Sequence, residues 1–454
     1  MDPLSRRSFL LALLASGVLA ACGDDTTGPA APTSTSGPGT TPETSPPGTT
    51  PGSRPVSGEL TPVAHSYQRA EPDPDSPVAE VVAADRALAG ELYAAIAGSE
   101  PGNLIFSPYS IAVAFSMTEA GAANETVAQM RRVLGIEIDD AAWHAGRNAL
   151  DGAITTPGQV PPGMTPLELR IANAPFGQAG FDFVDAFIQV LAEQYGADLI
   201  TADFIADPEA ARTLINAWVA DQTDDRITDL LPAGSIDSLV RLVLVNTVFF
   251  KGQWVTEFDP AQTAPGPFTV LDGSQIETPL MNGSVRTSFG QGDGWQMVRL
   301  PYWGGYSMTL VVPDDGRFEE ISDRIAAGLL DDVTAIRSDH LVALTMPTFD
   351  FATPTDLVPV FRSLGMVDAF DSEAADFSGL TSSDDFYLSG AFHQATIEVD
   401  EFGTTATAAT GVIGGVTSAP TPAELRIDRP FVFTIEHDET GEPLFLGQVV
   451  DPTA

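Results

Sequence analysis

Residues 397–410 read Ile397-Glu-Val-Asp-Glu-Phe-Gly-Thr-Thr-Ala-Thr-Ala-Ala-Thr410. The stretch begins as a strand, with Ile397 and Val399 alternating with Glu398 and Asp400. From Gly403 onward there is almost no large side chain until Arg426. Surface turns favour Asp, Asn, Pro and Gly, and Thr404–Thr410 contains none of them. Small residues without proline make a segment that can stay in solvent or lie down as a strand. With Gly403 as pivot, period-2 alternation sends Thr404, Ala406, Ala408, Thr410 and Val412 to one face. Thr405, Thr407, Ala409 and Gly411 go to the other.

Outward from this stretch the chain alternates helical and strand patterns. Val78–Ala97 carries apolar residues at helical spacing. Asn103–Phe106 is a short strand, and Ser107-Pro108 forms an N-cap and first-turn pair that opens a helix through Met117. Further helices are expected over Glu125–Leu134 and Phe181–Tyr195, and after Asp207-Pro208. Leu242–Gly252 is a continuous apolar run, the pattern of a strand buried on both faces.

The motifs resemble those of the serpin family, in collinear order across about residues 77–453. They include Asn103-Leu-Ile-Phe-Ser-Pro-Tyr-Ser-Ile111, Ile171-Ala-Asn-Ala-Pro-Phe176 and Leu242-Val-Leu-Val-Asn-Thr-Val-Phe-Phe-Lys-Gly252. Trp254, Leu300-Pro-Tyr302, Met346-Pro-Thr-Phe349, Arg429-Pro-Phe-Val-Phe433 and Leu446-Gly-Gln-Val-Val-Asp-Pro452 complete the series. The resemblance implies an α+β serpin fold, with a large mixed central sheet, smaller sheets and about eight or nine helices. An exposed reactive-centre loop would span about residues 402–425. It also implies a suicide-substrate inhibitor of serine proteases, whose cleaved loop inserts into the main sheet and traps the acyl-enzyme. Gly403, Thr404, Thr405, Ala406, Thr407, Ala408, Ala409 and Thr410 are the implied hinge. Ser107, Ser110, Asn246 and His393 are the implied polar cluster beneath the sheet where its central strands part. The alternative within the family is a non-inhibitory member that serves as a binding or scaffold module.

Loop length gives two registers for the bait bond. Counting from Gly403 places it at Thr417-Ser418, and counting back from Pro430-Phe431 places it after Ala419. Ala419-Pro420 is a tertiary amide with a fixed φ, so Thr417-Ser418 is preferred, with Val416-Thr417 and Ser418-Ala419 as the near alternatives. Small and β-branched neighbours point to elastase-like or subtilisin-like proteases, with cysteine proteases as a further class. The chain departs from the family pattern at Phe402, Thr405 and Thr407. Gly411, Gly414 and Gly415 lower strand propensity. Pro175 is expected to interrupt a strand of the main sheet.

Residues 1–22 read as an export signal. Ser5-Arg-Arg-Ser-Phe-Leu10 resembles a twin-arginine motif, and the apolar run Phe9–Ala21 is short for a membrane span. Leu19-Ala-Ala-Cys22 resembles a lipobox, so Cys22 is expected to carry lipid and anchor an exported protein at a bacterial cell envelope. Residues 23–76 are rich in Thr, Pro, Gly and Ser and are expected to form a disordered tether, with the folded domain over 77–454.

The chain of 454 residues carries 21 Lys and Arg against 62 Asp and Glu, a formal net charge of −41. Such a chain repels phosphate backbones, which excludes nucleic-acid binding, and its membrane contact is expected only through the lipid. Cys22 is the single cysteine, so no intrachain disulfide forms. There is no Gly-x-Ser-x-Gly elbow, Walker A loop or His-Glu-x-x-His, and the five histidines are widely separated. No catalytic site, metal or cofactor is expected, and the protein is expected to be monomeric.

Overall fold

The computed structural model describes residues 59–99, 101–156, 158–383, 386–404 and 420–454. Nine α-helices occur among the described residues. In chain order they are α1 Val78–Ser99, α2 Pro108–Glu119, α3 Asn124–Val133, α4 Asp140–Ile154, α5 Asp185–Val190 and α6 Pro208–Gln222. The last three are α7 Phe318–Arg324, α8 Leu330–Thr334 and α9 Leu357–Ser363.

The main sheet contains β1 Thr61–Pro62, β3 Glu168–Gln178, β4 Ile200–Ala202, β5 Leu242–Gln253, β12 Phe349–Asp356, β13 Leu388–Val399 and β14 Gly403–Thr404. Their order is β1-β4-β3-β5-β14-β13-β12. The sheet is mixed: β3–β4 and β5–β13 pair parallel, and the other pairs run antiparallel. A second sheet holds β2 Leu104–Phe106, β8 Phe289–Gly292, β9 Trp295–Tyr302, β10 Tyr306–Pro313, β16 Phe431–His437 and β17 Pro443–Val449. A third holds β6 Ala264–Thr269, β7 Gln275–Thr287, β11 His340–Pro347 and β15 Thr421–Arg426.

Strand β5 shows why its sequence lacks the apolar–polar alternation of a half-solvated strand. Leu244, Val248 and Phe250 belong to the large core on the sheet's inner face. Val243 and Val245 face outward and pack against Ile215 and Val219 of α6. Burial on both faces removes the solvent-facing positions that would otherwise alternate as polar residues, and the polar residues that remain, such as Asn246, are themselves buried.

Three expectations need correction. Pro175 does not interrupt its strand, because β3 pairs with β5 without a break from Glu168 to Gly177. Strand β4 flanks β3 only at Phe176–Gln178. From Pro175 backwards β3 has an open outer side, where a missing ladder donor is tolerated.

The tether expected to reach residue 76 gives way to structure from residue 59. Thr61 and Pro62 pair with Thr201 and Ile200. The Tyr67 hydroxyl donates to Asp185 at 2.6 Å. Arg69 binds Asn148 at 2.9 Å and Asp151 at 2.6 Å. His65, Tyr67 and Arg69 supply specific partners that a Thr/Pro/Gly/Ser tract lacks, so the folded domain starts before residue 77.

The loop expected over about 402–425 is shorter among the described residues. Gly403 and Thr404 already belong to the main sheet, and β15 begins at Thr421, pairing parallel with β11 from His340 onward. Pro422 is accommodated because β15 is an edge strand.

Candidate hinge and the polar row beneath the sheet

After Val399 the chain reverses tightly and enters the sheet. The Asp400 carboxylate accepts the backbone N–H groups of Phe402 and Gly403 at 2.8 and 3.0 Å. The Phe402 and Glu401 carbonyls accept from the N–H groups of Trp254 and Phe258 at 2.9 and 2.8 Å. These contacts aim the chain along β5 as it leaves the turn. Gly403 then lies opposite Gln253, and Thr404 lies between Gly252 of β5 and Val399 of β13. A Cβ at Gly403 would sit 2.1 Å from the Gly252 carbonyl oxygen, so only glycine allows this approach.

Thr404 points inward and is 2% exposed. Its hydroxyl is 2.6 Å from the hydroxyl of Tyr302. The Tyr302 ring is stacked on Trp254 with centroids 4.2 Å apart and meets Phe250 edge-on at 5.1 Å. Burial pushes the Tyr302 phenol well above its ordinary pKa, which keeps it neutral. Thr404 therefore sits on the buried face of the sheet. Thr405, Ala406, Thr407, Ala408, Ala409, Thr410, Thr417 and Ser418 lie outside the described residues, as does Cys22.

Below the hinge the sheet is closed, with β5 and β13 pairing from Leu242–Leu388 to Val248–Ala395. Within this section Asn246 is the cross-strand partner of both Asn173 on β3 and His393 on β13. The structure thus brings Ser107, Ser110, Asn246 and His393 into one buried network and adds Asn173 to it. Ser107 caps α2 by accepting the Ser110 N–H at 3.1 Å. The Ser107 N–H donates to His393 Nε2 at 3.1 Å, which leaves His393 Nδ1 to donate to the Asn246 side-chain oxygen. Asn246 Nδ2 donates to the Ser110 hydroxyl at 2.6 Å and to Asn173 Oδ1 at 2.5 Å. Burial depresses the His393 pKa to about 3, so the imidazole is neutral. It is a structural hydrogen-bond partner: its ring nitrogens meet the Ser107 backbone N–H and the Asn246 amide oxygen, not a serine hydroxyl.

Asn173, Gly252 and Tyr302 belong to the site without having been singled out by sequence. Each sits inside a motif quoted for the fold. A polar Asn amid apolar strand residues was the available signal for Asn173. Tyr302 gave none, since its role depends on β9 passing under β5.

A family model described as Serpin (serine protease inhibitor) matches residues 83–452. The chain belongs to the serpin family. Leukocyte elastase inhibitor of Bos taurus is 34% identical over 387 residues, covering 82% of this chain and all of that protein. A serpin-like protein of Thermococcus kodakarensis is 32% identical over 377 residues, covering 82% of this chain and 86% of its own. Among solved structures, Arabidopsis AtSerpin1 in its native stressed conformation superposes with a TM-score of 0.74 at 29% identity. That match covers 83% of this chain and 99% of the other. Uncleaved ovalbumin gives 0.73 at 26% identity, over 82% and 100%. The segment 59–76 that straps onto β4, α4 and α5 lies before the region matched by the serpin family model.

Proposed function

We propose that this serpin inhibits serine proteases as a suicide substrate. The observation that carries the reading is the first rung of the inserting strand, Gly403–Thr404, already hydrogen-bonded between β5 and β13. Beyond a short unpaired interval the same two strands are paired to each other, from Val248–Ala395 to Leu242–Leu388. A cleaved loop can continue that rung by adding a central strand. A strand of about a dozen residues forms on the order of ten ladder bonds, each worth a net ~0.5–1.5 kcal/mol. Continuing the pairing one residue at a time from Thr404 opposite Gly252 brings Thr410 opposite Asn246. The inserted strand thereby separates Asn246 from His393 and puts a hydroxyl in reach of both.

In this account the protease serine attacks the Thr417 carbonyl and expels the Ser418 amine. Insertion then carries the acyl-enzyme away before water can release it. Small residues around the bait bond favour elastase-like or subtilisin-like enzymes, in keeping with the elastase inhibitor among the relatives. Lipid on Cys22 would hold the monomeric inhibitor at the bacterial cell envelope or surface. Incubation with elastase, subtilisin and trypsin, then denaturing electrophoresis, tests the reading. The expected result is a denaturant-stable adduct with one of the first two, plus a released C-terminal fragment that begins at Ser418. Cleavage by every enzyme without an adduct overturns the inhibitor reading and leaves the scaffold role.

A further inference from the structure

The turn after α6 crosses the outer face of the main sheet and grips the strands that insertion must separate. Asp224 and Asp225 both adopt left-handed backbone conformations, with φ of 50° and 59°. Asp tolerates that region better than most side chains, but two in succession are unusual. Ile227 anchors the far side: it is buried beneath α6, and its N–H donates to the Thr223 hydroxyl at 3.2 Å. Between these anchors Arg226 extends over the sheet. Its guanidinium carbon lies 4.8 Å from the centre of the Phe249 ring on β5. Its Nη1 lies 4.0 Å from Glu398 Oε2 on β13. Asp224 pairs with Arg170 of β3 at 2.7 Å, and Arg170 is the cross-strand partner of Phe249. One turn therefore touches β3, β5 and β13 in a row.

The place of this grip is what gives it meaning. Direct pairing of β5 with β13 stops at Val248 and Ala395, and Thr404 fills the gap at Gly252 and Val399. Phe249 and Glu398 lie in the interval between those two levels. A strand that continues from Thr404 has to pass between them, and their separation must then grow by about one strand spacing of 4.7–4.9 Å. A single guanidinium cannot keep both partners across that wider gap.

We propose that Arg226 is a latch across the unfilled section of the sheet, a positioning residue that sets how fast the cleaved loop inserts. The latch rests on the inhibitor reading for its consequence, since slower insertion gives the acyl-enzyme more time to hydrolyse. Arg226 and Glu398 are 40% and 47% exposed at their side chains. Their attraction is consequently screened by salt and weak enough to yield once the loop is cut.

The test cuts the loop of the full chain with a metalloprotease, which forms no acyl-enzyme, and tracks insertion through tryptophan fluorescence and gain of heat resistance. Arg226→Ala and Glu398→Gln are each expected to speed insertion roughly two- to fivefold, the size of an exposed ion pair with a cation–π contact. The double variant should be no faster than either single one, and added salt should speed the wild type but not the variants. Glu398→Gln leaves the turn after α6 intact, which separates the latch from a general loosening of that turn. Insertion at wild-type rate in Glu398→Gln, or additive effects in the double variant, overturns the latch alone. Absence of insertion in the wild type overturns the inhibitor reading and the latch together.

Discussion

The hydroxyls of Thr404 and Tyr302 meet at 2.6 Å inside the main sheet, where both residues are buried. Thr404 is thus the first hinge side chain to have exchanged water for the protein interior. Thr404→Arg would have to place a guanidinium against the Tyr302–Trp254 stack with no carboxylate bonded there. Either the rung is expelled or the strands are forced apart. The expected outcome is cleavage without trapping, read as a rise in the number of serpin molecules consumed per protease inactivated. Unchanged stoichiometry would show that entry of Thr404 does not gate insertion.

His393 makes the folded state sensitive to acid. Its pKa is depressed to about 3 in the fold against an ordinary 6.5. Its contribution is therefore complete above about pH 6.5 and is lost as the pH falls toward 3. Between pH 6.5 and 5 this one group should remove about 2 kcal/mol of stability. His393→Gln can still accept from Ser107 and donate to Asn246, and it has no such titration. Urea unfolding at several pH values should show a shallower acid slope in the variant, and parallel slopes would rule out His393 as the source.

Glu442 acts in the opposite direction. It is fully buried, with Asp85 and Arg147 beside it, and burial holds its carboxyl well above the ordinary carboxylate range. A raised value in the fold means its share of stability is present at low pH and declines as the pH rises through the folded value. Glu442→Gln should leave stability near pH 5 little changed and raise it near pH 9 by ~1–3 kcal/mol, the cost avoided by not ionising a buried acid. A gain that is the same at both pH values would contradict this.

The fate of Cys22 is open to a fractionation experiment. The wild-type protein is expected in the membrane fraction and Cys22→Ser in the soluble one, because a thioether-linked lipid is the only anchor in the account. Equal membrane recovery of both would place the anchor elsewhere.

The sequence carried the fold well because the signals were local and numerous. The double-sided burial of β5 reads directly from its apolar run, and the α2 cap reads from Ser107-Pro108. What stayed hidden depended on chain segments far apart in sequence. Tyr302 meets Thr404 across 102 positions, and no spacing rule connects them. Arg226 acts through a turn whose two left-handed aspartates leave no pattern distinct from an ordinary polar loop. Pro175 misled for the complementary reason: a proline forbids a central strand only where a neighbour needs its donor, and the short reach of β4 removes that neighbour. The strap at 59–76 was masked by the Pro- and Thr-rich tract that precedes it.

Inhibition requires the closed section of the sheet between β5 and β13 to open and accept the cleaved loop. Thermal unfolding of the intact protein and of the same protein nicked within residues 405–419 measures it without reference to any target enzyme. A central strand gained on nicking should raise the unfolding midpoint by tens of degrees, since ~1 kcal/mol shifts a domain of this size by roughly 2 °C or less and the inserted ladder contributes on the order of ten bonds. A nicked protein that unfolds at the temperature of the intact one would contradict insertion, and the mechanism of inhibition with it.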